Sequence, residues 1–208
     1  MFITLEGVEG SGKTTVASQL IELLKNEGYD VLLTREPGGN VIAEDIRRIV
    51  LTTAYETMDP RTEALLYAAA RRQHLVEVVI PALNEGKMVI CDRFVDSSIA
   101  YQGHARGIGV EEVAAINRFA TQNCTPDLTF FLDVEPGVGL ARINKDSDRE
   151  VNRLDLESLD FHTSVYEGYM KLLSADVDGR FAVVDGNGTP KDIALKMMDI
   201  IKERIEHG

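Results

Sequence analysis

Five short apolar runs punctuate the chain, each bounded by glycine, proline, asparagine or charged residues. Apolar runs of roughly four to eight residues between such breaks are typical of strands buried on both faces of a sheet. The runs cover residues 2–5, 31–34, 87–91, 128–132 and 181–184. We therefore predict five buried strands.

The segments between these runs carry apolar residues at helical spacing. The first helix places Val16, Leu20 and Leu24 on one face and ends before Gly28. Pro81 lies near the end of the longest helical pattern and predicts a kink or break there, since proline removes a helical N–H. Strands that alternate with helices favour one α/β domain with a parallel sheet. The later helices are predicted over residues 44–50, 61–83, 113–120, 136–143, 158–173 and from 189 onward.

The first strand leads directly into a glycine-rich segment that opens the first helix. Its sequence is Gly7-Val8-Glu9-Gly10-Ser11-Gly12-Lys13-Thr14. Glycines permit tight turns and a close backbone approach, and the helix N-terminus offers N–H groups and partial positive charge to phosphates. Lys13 can reach the outer phosphates and Thr14 can offer its hydroxyl to Mg²⁺. A plain glycine turn is the structural alternative, but the complete spacing and its context favour a phosphate loop.

Charged residues follow two of the predicted strands. Arg35 and Glu36 come after the second strand, and Asp92 and Arg93 come after the third. Ligands gather at the carboxyl ends of strands in parallel sheets. An acid at the end of an apolar strand commonly orders Mg²⁺ in a phosphate-loop enzyme, so Asp92 is a candidate metal residue.

Two helical faces are candidates for a ligand pocket. Ser98, Tyr101 and Gln102 share one face, which suits a planar heterocycle with a sugar; a polar surface helix is the alternative. Tyr67 and Arg71 lie four residues apart on another helix and also share a face. Core packing remains open for Tyr67, and a solvated charge remains open for Arg71 or its neighbour Arg72.

A polar segment of about residues 142–155 interrupts the apolar patterns. It carries a surplus of cations in an otherwise acidic chain, namely Arg142, Lys145, Arg149 and Arg153. A basic segment that folds over bound phosphates would exclude water and stabilise the transferred charge. We therefore predict a mobile lid here, with a solvated charge run as the alternative.

Composition narrows the class of protein. The 208 residues carry a net charge of −12, which disfavours a nucleic-acid surface, and no apolar run is long enough to span a membrane. Cys91 and Cys124 have neither a disulfide framework nor a metal spacing. Because residues 2–5 lead directly into the phosphate loop, we expect no signal peptide. We expect a soluble cytoplasmic protein. The four histidines form no triad or metal spacing and are interpreted as structural or surface residues.

These motifs together resemble bacterial thymidylate kinase over essentially the whole chain. The specific parts are the phosphate loop with Glu9, the turn Arg35-Glu36-Pro37, the pair Asp92-Arg93 and the segment Asp96-Ser97-Ser98 through Tyr101-Gln102-Gly103. The resemblance implies a P-loop NTPase fold of three layers, α/β/α, around a five-stranded parallel sheet. It implies transfer of the γ-phosphoryl group of ATP to dTMP, with Mg²⁺ as cofactor and a homodimeric assembly.

The resemblance also assigns residues to the donor side. Lys13 and the loop amides would hold the ATP phosphates within residues 7–15, a stretch that includes Thr15. Thr14 would serve Mg²⁺, with Glu36 and Asp92 supporting the metal and its waters. Glycine at position 10 and arginines in the lid match the type of the family whose catalytic arginine lies in the lid. Arg153 is the first candidate for that role and Arg149 the second.

On the acceptor side, the resemblance places Arg93 and Arg47 on the phosphate of dTMP. Glu9 would face the deoxyribose 3′-hydroxyl, and Tyr101 would crowd the ribose 2′ position. The remaining residues would hold thymine by stacking or hydrogen bonds, or lie beside it. They are Tyr67, Arg71, Ser98 and Gln102.

Three other interpretations stay open. One is a kinase for uridylate or a broader set of pyrimidine monophosphates. Another, from a different class, is a nucleotide-dependent switch. A GTPase would carry Asn-Lys-x-Asp after a strand, whereas Asn144-Lys145-Asp146 lacks the intervening residue. A phosphate-loop enzyme acting on a non-nucleotide acceptor is a further possibility.

Overall fold

The computed structural model describes residues 1–55, 57–145 and 152–207. Within them, five strands form one parallel sheet in the order β2-β3-β1-β4-β5. The strands are β1 (Phe2–Glu6), β2 (Val31–Arg35), β3 (Met88–Asp92), β4 (Leu128–Asp133) and β5 (Phe181–Asp185). The predicted sheet is confirmed, and each strand extends one charged residue beyond its predicted apolar run.

Those charged ends all lie at the same edge of the sheet. Leu5 of β1 and Arg35 of β2 both pair in register with Asp92 of β3. Because all the strands are parallel, the phosphate loop after β1 and the polar turns after β2 and β3 emerge side by side. The fold therefore brings the candidate residues of three separate segments to one place.

Helices cover both faces of the sheet. Ile3 and Leu5 point to one face, where they join the buried cluster of Val16, Leu20 and Met197. On the other face, Phe2 and Val89 pack against the helical residues between β2 and β3, and Phe131 packs against Val165 and Tyr169 of the helix between β4 and β5. The helices are α1 (Lys13–Asn26), α2 (Val41–Leu51), α3 (Pro60–His74), α4 (Ile80–Asn84), α5 (Val95–Ser98), α6 (Val110–Thr121), α7 (Pro136–Lys145), α8 (Leu159–Ser174) and α9 (Pro190–His207). The result is the predicted three-layer α/β/α arrangement.

The helical path does not break at Pro81, where a kink or a break was predicted. Helix α3 continues through a π-helical turn, Leu75–Val79, directly into α4. Pro81 then falls in the first turn of α4, where its missing N–H is not needed. The wider π turn thus lets the chain stay helical through a residue that an α-helix would not accept.

A second π-helical segment, Ile99–Ala105, follows α5 where the sequence predicted helical spacing. It includes Tyr101 and Gln102, which are both buried. π-turns are often found at functional sites. Among the described residues, no helix has the length and apolar character needed to cross a membrane.

Candidate active site

A cavity of about 590 Å³ lies at the carboxyl edge of the sheet. It runs from the phosphate loop and Asp92 at one end to Tyr67, Arg71 and Gln102 at the other. That volume is in the usual range for a small-molecule site. The cavity therefore joins the two groups of residues that the sequence singled out separately.

The phosphate loop is held by its own lysine. Nζ of Lys13 donates to the carbonyl oxygens of Gly7 at 3.0 Å and Val8 at 2.9 Å, and to Oγ of Ser11 at 3.1 Å. Burial, aided by the nearby positive charge of Arg93, lowers the pKa of Lys13 to about 8. A phosphate placed in the loop would restore the protonated form.

Close packing against α7 shapes the same loop. Gly139 of α7 approaches so closely that a Cβ atom there would lie 2.2 Å from the carbonyl oxygen of Glu9. Gly10 has φ +70°, and a Cβ on it would lie 2.1 Å from the carbonyl oxygen of Gly139. Two backbones therefore meet where only glycines fit.

Thr14 and Asp92 supply oxygen ligands beside the loop. The hydroxyl of Thr14 donates to Oδ2 of Asp92 at 2.7 Å. A hydroxyl and a carboxylate are hard oxygen donors, and Mg²⁺ usually takes one or two such protein ligands together with substrate phosphates and water. The pair fits Mg²⁺ in a phosphate-loop site.

Glu36 does not join that pair. Its Oε2 accepts from Nε of Arg71 at 2.7 Å, and its Oε1 lies 2.9 Å from Nδ1 of His74, whose Nε2 lies 2.6 Å from the hydroxyl of Thr34. Both carboxylate oxygens are thus engaged by buried partners. The predicted role of Glu36 as a metal residue is not supported by this arrangement, and we interpret it as the residue that positions Arg71.

Arg93 lies in the centre of the cavity. Its φ of +72° is in the left-handed region, a backbone strain that is common at functional sites. Nη2 donates to Oε1 of Glu9 at 2.9 Å and to the hydroxyl of Tyr101 at 3.1 Å, and the guanidinium lies over the Tyr101 ring. Burial lowers the pKa of Arg93, but the negative charge of Glu9 and the other acidic groups around it together raise that pKa well above its usual value, so the group stays charged.

A buried carboxylate supports Arg93 from behind. Oε2 of Glu6 accepts hydrogen bonds from Oγ of Ser97 and, at 2.8 Å, from the hydroxyl of Tyr169. Nη1 of Arg93 in turn donates to the hydroxyl oxygens of Ser97 and Tyr169. Burial, together with the negative charge of Asp96, raises the pKa of Glu6 to about 7. Glu6 was not identified from the sequence, although it ends a strand of apolar residues as Asp92 does.

Arg71 forms the far wall of the cavity and is almost fully buried. Nη1 donates to Oγ of Ser98 at 3.0 Å and to Oδ1 of Asn117, and Nη2 donates to the carbonyl oxygen of Phe94 at 2.9 Å. Its neighbour Arg72 turns away and bonds to the end of α6. The open choice between the two arginines is therefore decided by the structure in favour of Arg71 for the cavity.

Tyr67 and Gln102 line the same end of the cavity. Nε2 of Gln102 donates to Oε1 of Glu63 at 2.7 Å, and both residues are buried. Arg47 lines the cavity nearer the turn after β2, where its Nη1 donates to the carbonyl oxygen of Pro37 at 3.1 Å. Glu63 was not identified from the sequence, because a single glutamate on a helix carries no pattern of its own.

The lid arginines are placed differently from the prediction. Arg142 lines the cavity and donates to the carbonyl oxygen of Gly186 and to Oδ1 of Asn187, each at 3.1 Å. Arg153 instead forms an ion pair with the buried Glu63 and bonds the carbonyl oxygen of Val50. In this structure Arg153 therefore does not face the phosphate loop, and Glu63 compensates its charge.

Part of the predicted lid lies outside the described residues. Residues 142–145 complete α7, and residues 152–155 lead toward α8. Arg149, the second candidate for the catalytic arginine, falls on residues that the structure does not describe.

Comparison with known proteins gives one consistent match. A family model described as thymidylate kinase matches residues 5–196. Proteins named thymidylate kinase from Bacillus cytotoxicus and Bacillus cereus strain B4264 are 52% and 53% identical to this chain over 205 residues, which cover 99% of it and 98% of each relative. A crystal structure of thymidylate kinase from Ehrlichia chaffeensis matches with a TM-score of 0.79 and 31% identity, over 97% of this chain and 98% of that one.

Proposed function

The chain belongs to the thymidylate kinase family, and we propose that it transfers the γ-phosphoryl group of ATP to dTMP, giving dTDP and ADP. The observation that carries this proposal is the single cavity that joins the phosphate loop to the buried end at Arg71 and Gln102. Two nucleotides can meet there with their phosphates at Arg93. Phosphoryl transfer asks mainly for such positioning and for charge compensation.

For the donor, we assign the ATP phosphates to residues 7–15, with Lys13 exchanging loop carbonyls for phosphate oxygens. Thr14 and Asp92 would hold Mg²⁺ beside them. When bound, the ion would neutralise phosphate charge and orient the transferred group.

For the acceptor phosphate, we assign Arg93 and Arg47. Glu9 and Tyr101 already hold the Arg93 guanidinium in place, so its Nη groups can donate to a phosphate without a change of rotamer. Glu9 and Tyr101 would face the deoxyribose, with Glu9 near the 3′-hydroxyl. Tyr101 is held on both sides by hydrogen bonds, so it would clash with a 2′-hydroxyl rather than move aside.

For the base, we assign Tyr67, Arg71, Ser98 and Gln102. The buried phenol ring of Tyr67 offers an apolar face for stacking, and burial raises its pKa so that the hydroxyl stays neutral. At the closed end of the cavity, Arg71 has one N–H of Nη2 beyond its bond to the carbonyl oxygen of Phe94, and Gln102 offers its amide. Buried polar groups in such a site reject bases that leave them unpaired.

For the lid, we propose that residues of about 142–155 close over the phosphates within a single-domain protein. Arg142 lines the cavity already, and Arg149 is proposed as the lid arginine that reaches the transferred group. Arg153 has another role, which is argued below.

We further propose a homodimer in a cytoplasmic setting. Phe119 on α6 is 88% exposed and Leu65 on α3 is 56% exposed, and these two helices are neighbours. Large apolar side chains in exposed positions of adjacent helices are typical of a contact surface. Light scattering on the purified chain gives the mass that tests this assembly.

An assay of ADP release tests the proposed reaction. The chain is incubated with ATP, Mg²⁺ and each of dTMP, dUMP, UMP, CMP, AMP and GMP. Strong turnover with dTMP and little with UMP is expected, because Tyr101 excludes the 2′-hydroxyl. Turnover greatest with UMP or CMP would keep the chemistry and overturn the base assignment, and ATP hydrolysis that is indifferent to every monophosphate would indicate a switch.

A binding measurement separates the base pocket from catalysis. In the kinase proposal, dTMP binds the protein without ATP, and Arg71→Ala weakens that binding. Equal dTMP affinity of the wild type and Arg71→Ala would contradict the assignment of Arg71 to the base.

A further inference from the structure

We propose that Glu63 is a positioning residue that fixes the amide of Gln102 with its oxygen toward the base, and so selects a pyrimidine that carries N3–H. The inference rests on the proposed function of the cavity and names a residue that acts on substrate choice only through another side chain.

Glu63 is one of the most deeply buried carboxylates in the described structure, at 1% exposure. Its Oε1 accepts from Nε2 of Gln102 at 2.7 Å, and its Oε2 accepts from Arg153. Nη2 of Arg106 lies 3.4 Å from the same Oε2. One buried acid thus meets two guanidinium groups and the amide of a cavity residue.

The two guanidinium groups decide the direction of the Gln102 hydrogen bond. Arginine donates and cannot accept, so Arg106 and Arg153 keep Glu63 an acceptor. An amide oxygen turned toward Glu63 would repel it, and only the NH₂ end of Gln102 can face it. The amide is therefore held in one of its two orientations.

That orientation leaves Oε1 of Gln102 for the cavity. Gln102 lines the cavity, and no described group donates to its Oε1. That acceptor, together with the second N–H of Arg71 Nη2, matches N3–H and the adjacent C4 carbonyl of thymine or uracil. Cytosine presents the opposite pattern, with an acceptor at N3 and an amino group at C4, and would set like groups against both side chains.

The ion pair between Glu63 and Arg153 connects the proposed lid to the proposed base pocket. Arg153 lies in the part of the lid that the structure describes, close before α8, and its guanidinium ends on Glu63. Its charge therefore supports the residue that orients Gln102. This role accounts for an arginine in the lid that does not face the phosphate loop.

The test compares dTMP with dCMP as acceptor at saturating ATP. Glu63→Gln keeps the shape but can donate as well as accept, so Gln102 is free to turn over. We expect the ratio of kcat/KM for dTMP to that for dCMP to fall by about 10- to 100-fold, the cost of one mismatched buried hydrogen bond. The KM for ATP should stay within about twofold, because the donor site is untouched.

Two further variants serve as the control and as a substitute for the single variant. Glu157→Gln removes the other carboxylate of Arg106, which lies 2.6 Å from Nη2, without touching Gln102, and should keep the wild-type ratio. Glu63→Gln combined with Arg106→Gln removes one charge of each sign from this cluster, and it is used if the single variant does not fold. A thermal unfolding curve establishes folding for each.

The outcomes separate the inference from the proposed function. Failure of the wild type to phosphorylate dTMP would refute the function. Wild-type activity on dTMP with an unchanged ratio in both Glu63 variants would refute the role of Glu63 alone, as would equal use of dTMP and dCMP by the wild type. A lowered ratio with an unchanged KM for ATP would support it, since a general loss of packing would weaken both acceptors alike.

Discussion

Gly139→Ala tests how tightly the phosphate loop is held by its neighbours. A Cβ at this position would lie 2.2 Å from the carbonyl oxygen of Glu9, where ordinary contacts begin at 3.4 Å. The loop and α7 must therefore separate by about 1 Å, because both contacting groups are backbone and have no rotamer to change. A displacement of that size at reacting groups can cost about 100-fold in rate. The overpacking itself costs about 1–3 kcal/mol of stability.

The assay measures kcat/KM for ATP and the free energy of unfolding. We expect kcat/KM for ATP to fall by about 100-fold in Gly139→Ala, and dTMP binding in the absence of ATP to change much less. Gly137→Ala is the matched control, since it adds the same methyl group to the same helix. Its Cβ would meet nothing nearer than 3.9 Å. It should keep full activity and gain up to about 1 kcal/mol from the better helix propensity of alanine.

Comparable kinetics for the two variants would refute this reasoning. If Gly139→Ala keeps kcat/KM for ATP within about threefold of Gly137→Ala, the loop either moves without loss or does not depend on α7. If Gly139→Ala lowers the stability but not kcat/KM for ATP, the contact between the loop and α7 serves folding rather than positioning of the loop.

Three other predictions concern buried charges. The pKa of Lys13 is about 8 in the free loop, so ATP binding at pH 8.5 should be accompanied by uptake of part of a proton. Calorimetry in buffers of different ionisation heat measures this uptake, and Lys13→Arg should abolish it because arginine stays charged. The pKa of Glu6 is raised from 4.5 to about 7, so its contribution to the free energy of unfolding is lost as the pH rises from 5 to 8. Relative to the wild type, Glu6→Gln should therefore gain about 2–3 kcal/mol of stability over that pH range. Urea titrations at several pH values measure this gain, and a difference that does not depend on pH would contradict it. Arg180→Ala should cost about 3 kcal/mol in the same titrations at pH 7, because its bidentate partner Asp96, 5% exposed, is left uncompensated, and Arg180→Lys should lose less.

The phosphate loop and the sheet could be predicted because their signals are local. Buried parallel strands need continuous apolar runs, and the loop needs glycines at fixed spacing before a lysine, so both are written in short segments. Asp92 and Arg93 were placed at the site because they follow one such strand. The same local signal is present for Glu6, which ends the apolar run of β1 directly before the loop and is fully buried.

Pairings between distant segments could not be predicted. Glu36 looked like a metal residue from its position after β2, yet His74 and Arg71 reach it from α3 and occupy both of its oxygens. Arg153 looked like a phosphate residue from its position in a basic segment, yet Glu63 compensates it. In each case the decisive partner lies on α3, and no spacing rule connects it to the residue it engages.

The acidity of the chain, with a net charge of −12, bears on how its cations are used for anionic substrates. Arg71 is held by Glu36, Arg93 by Glu9, and Lys13 by the carbonyl groups of its own loop. Each cation is thus oriented and already out of water before a nucleotide arrives, so binding exchanges one acceptor for another with little reorganisation. Attraction at contact distance inside a cavity is several-fold stronger than across solvent, where salt screens it beyond about 10 Å. A surface that is acidic overall can therefore bind two polyanions, because what the phosphates meet is the local arrangement and not the sum of charges.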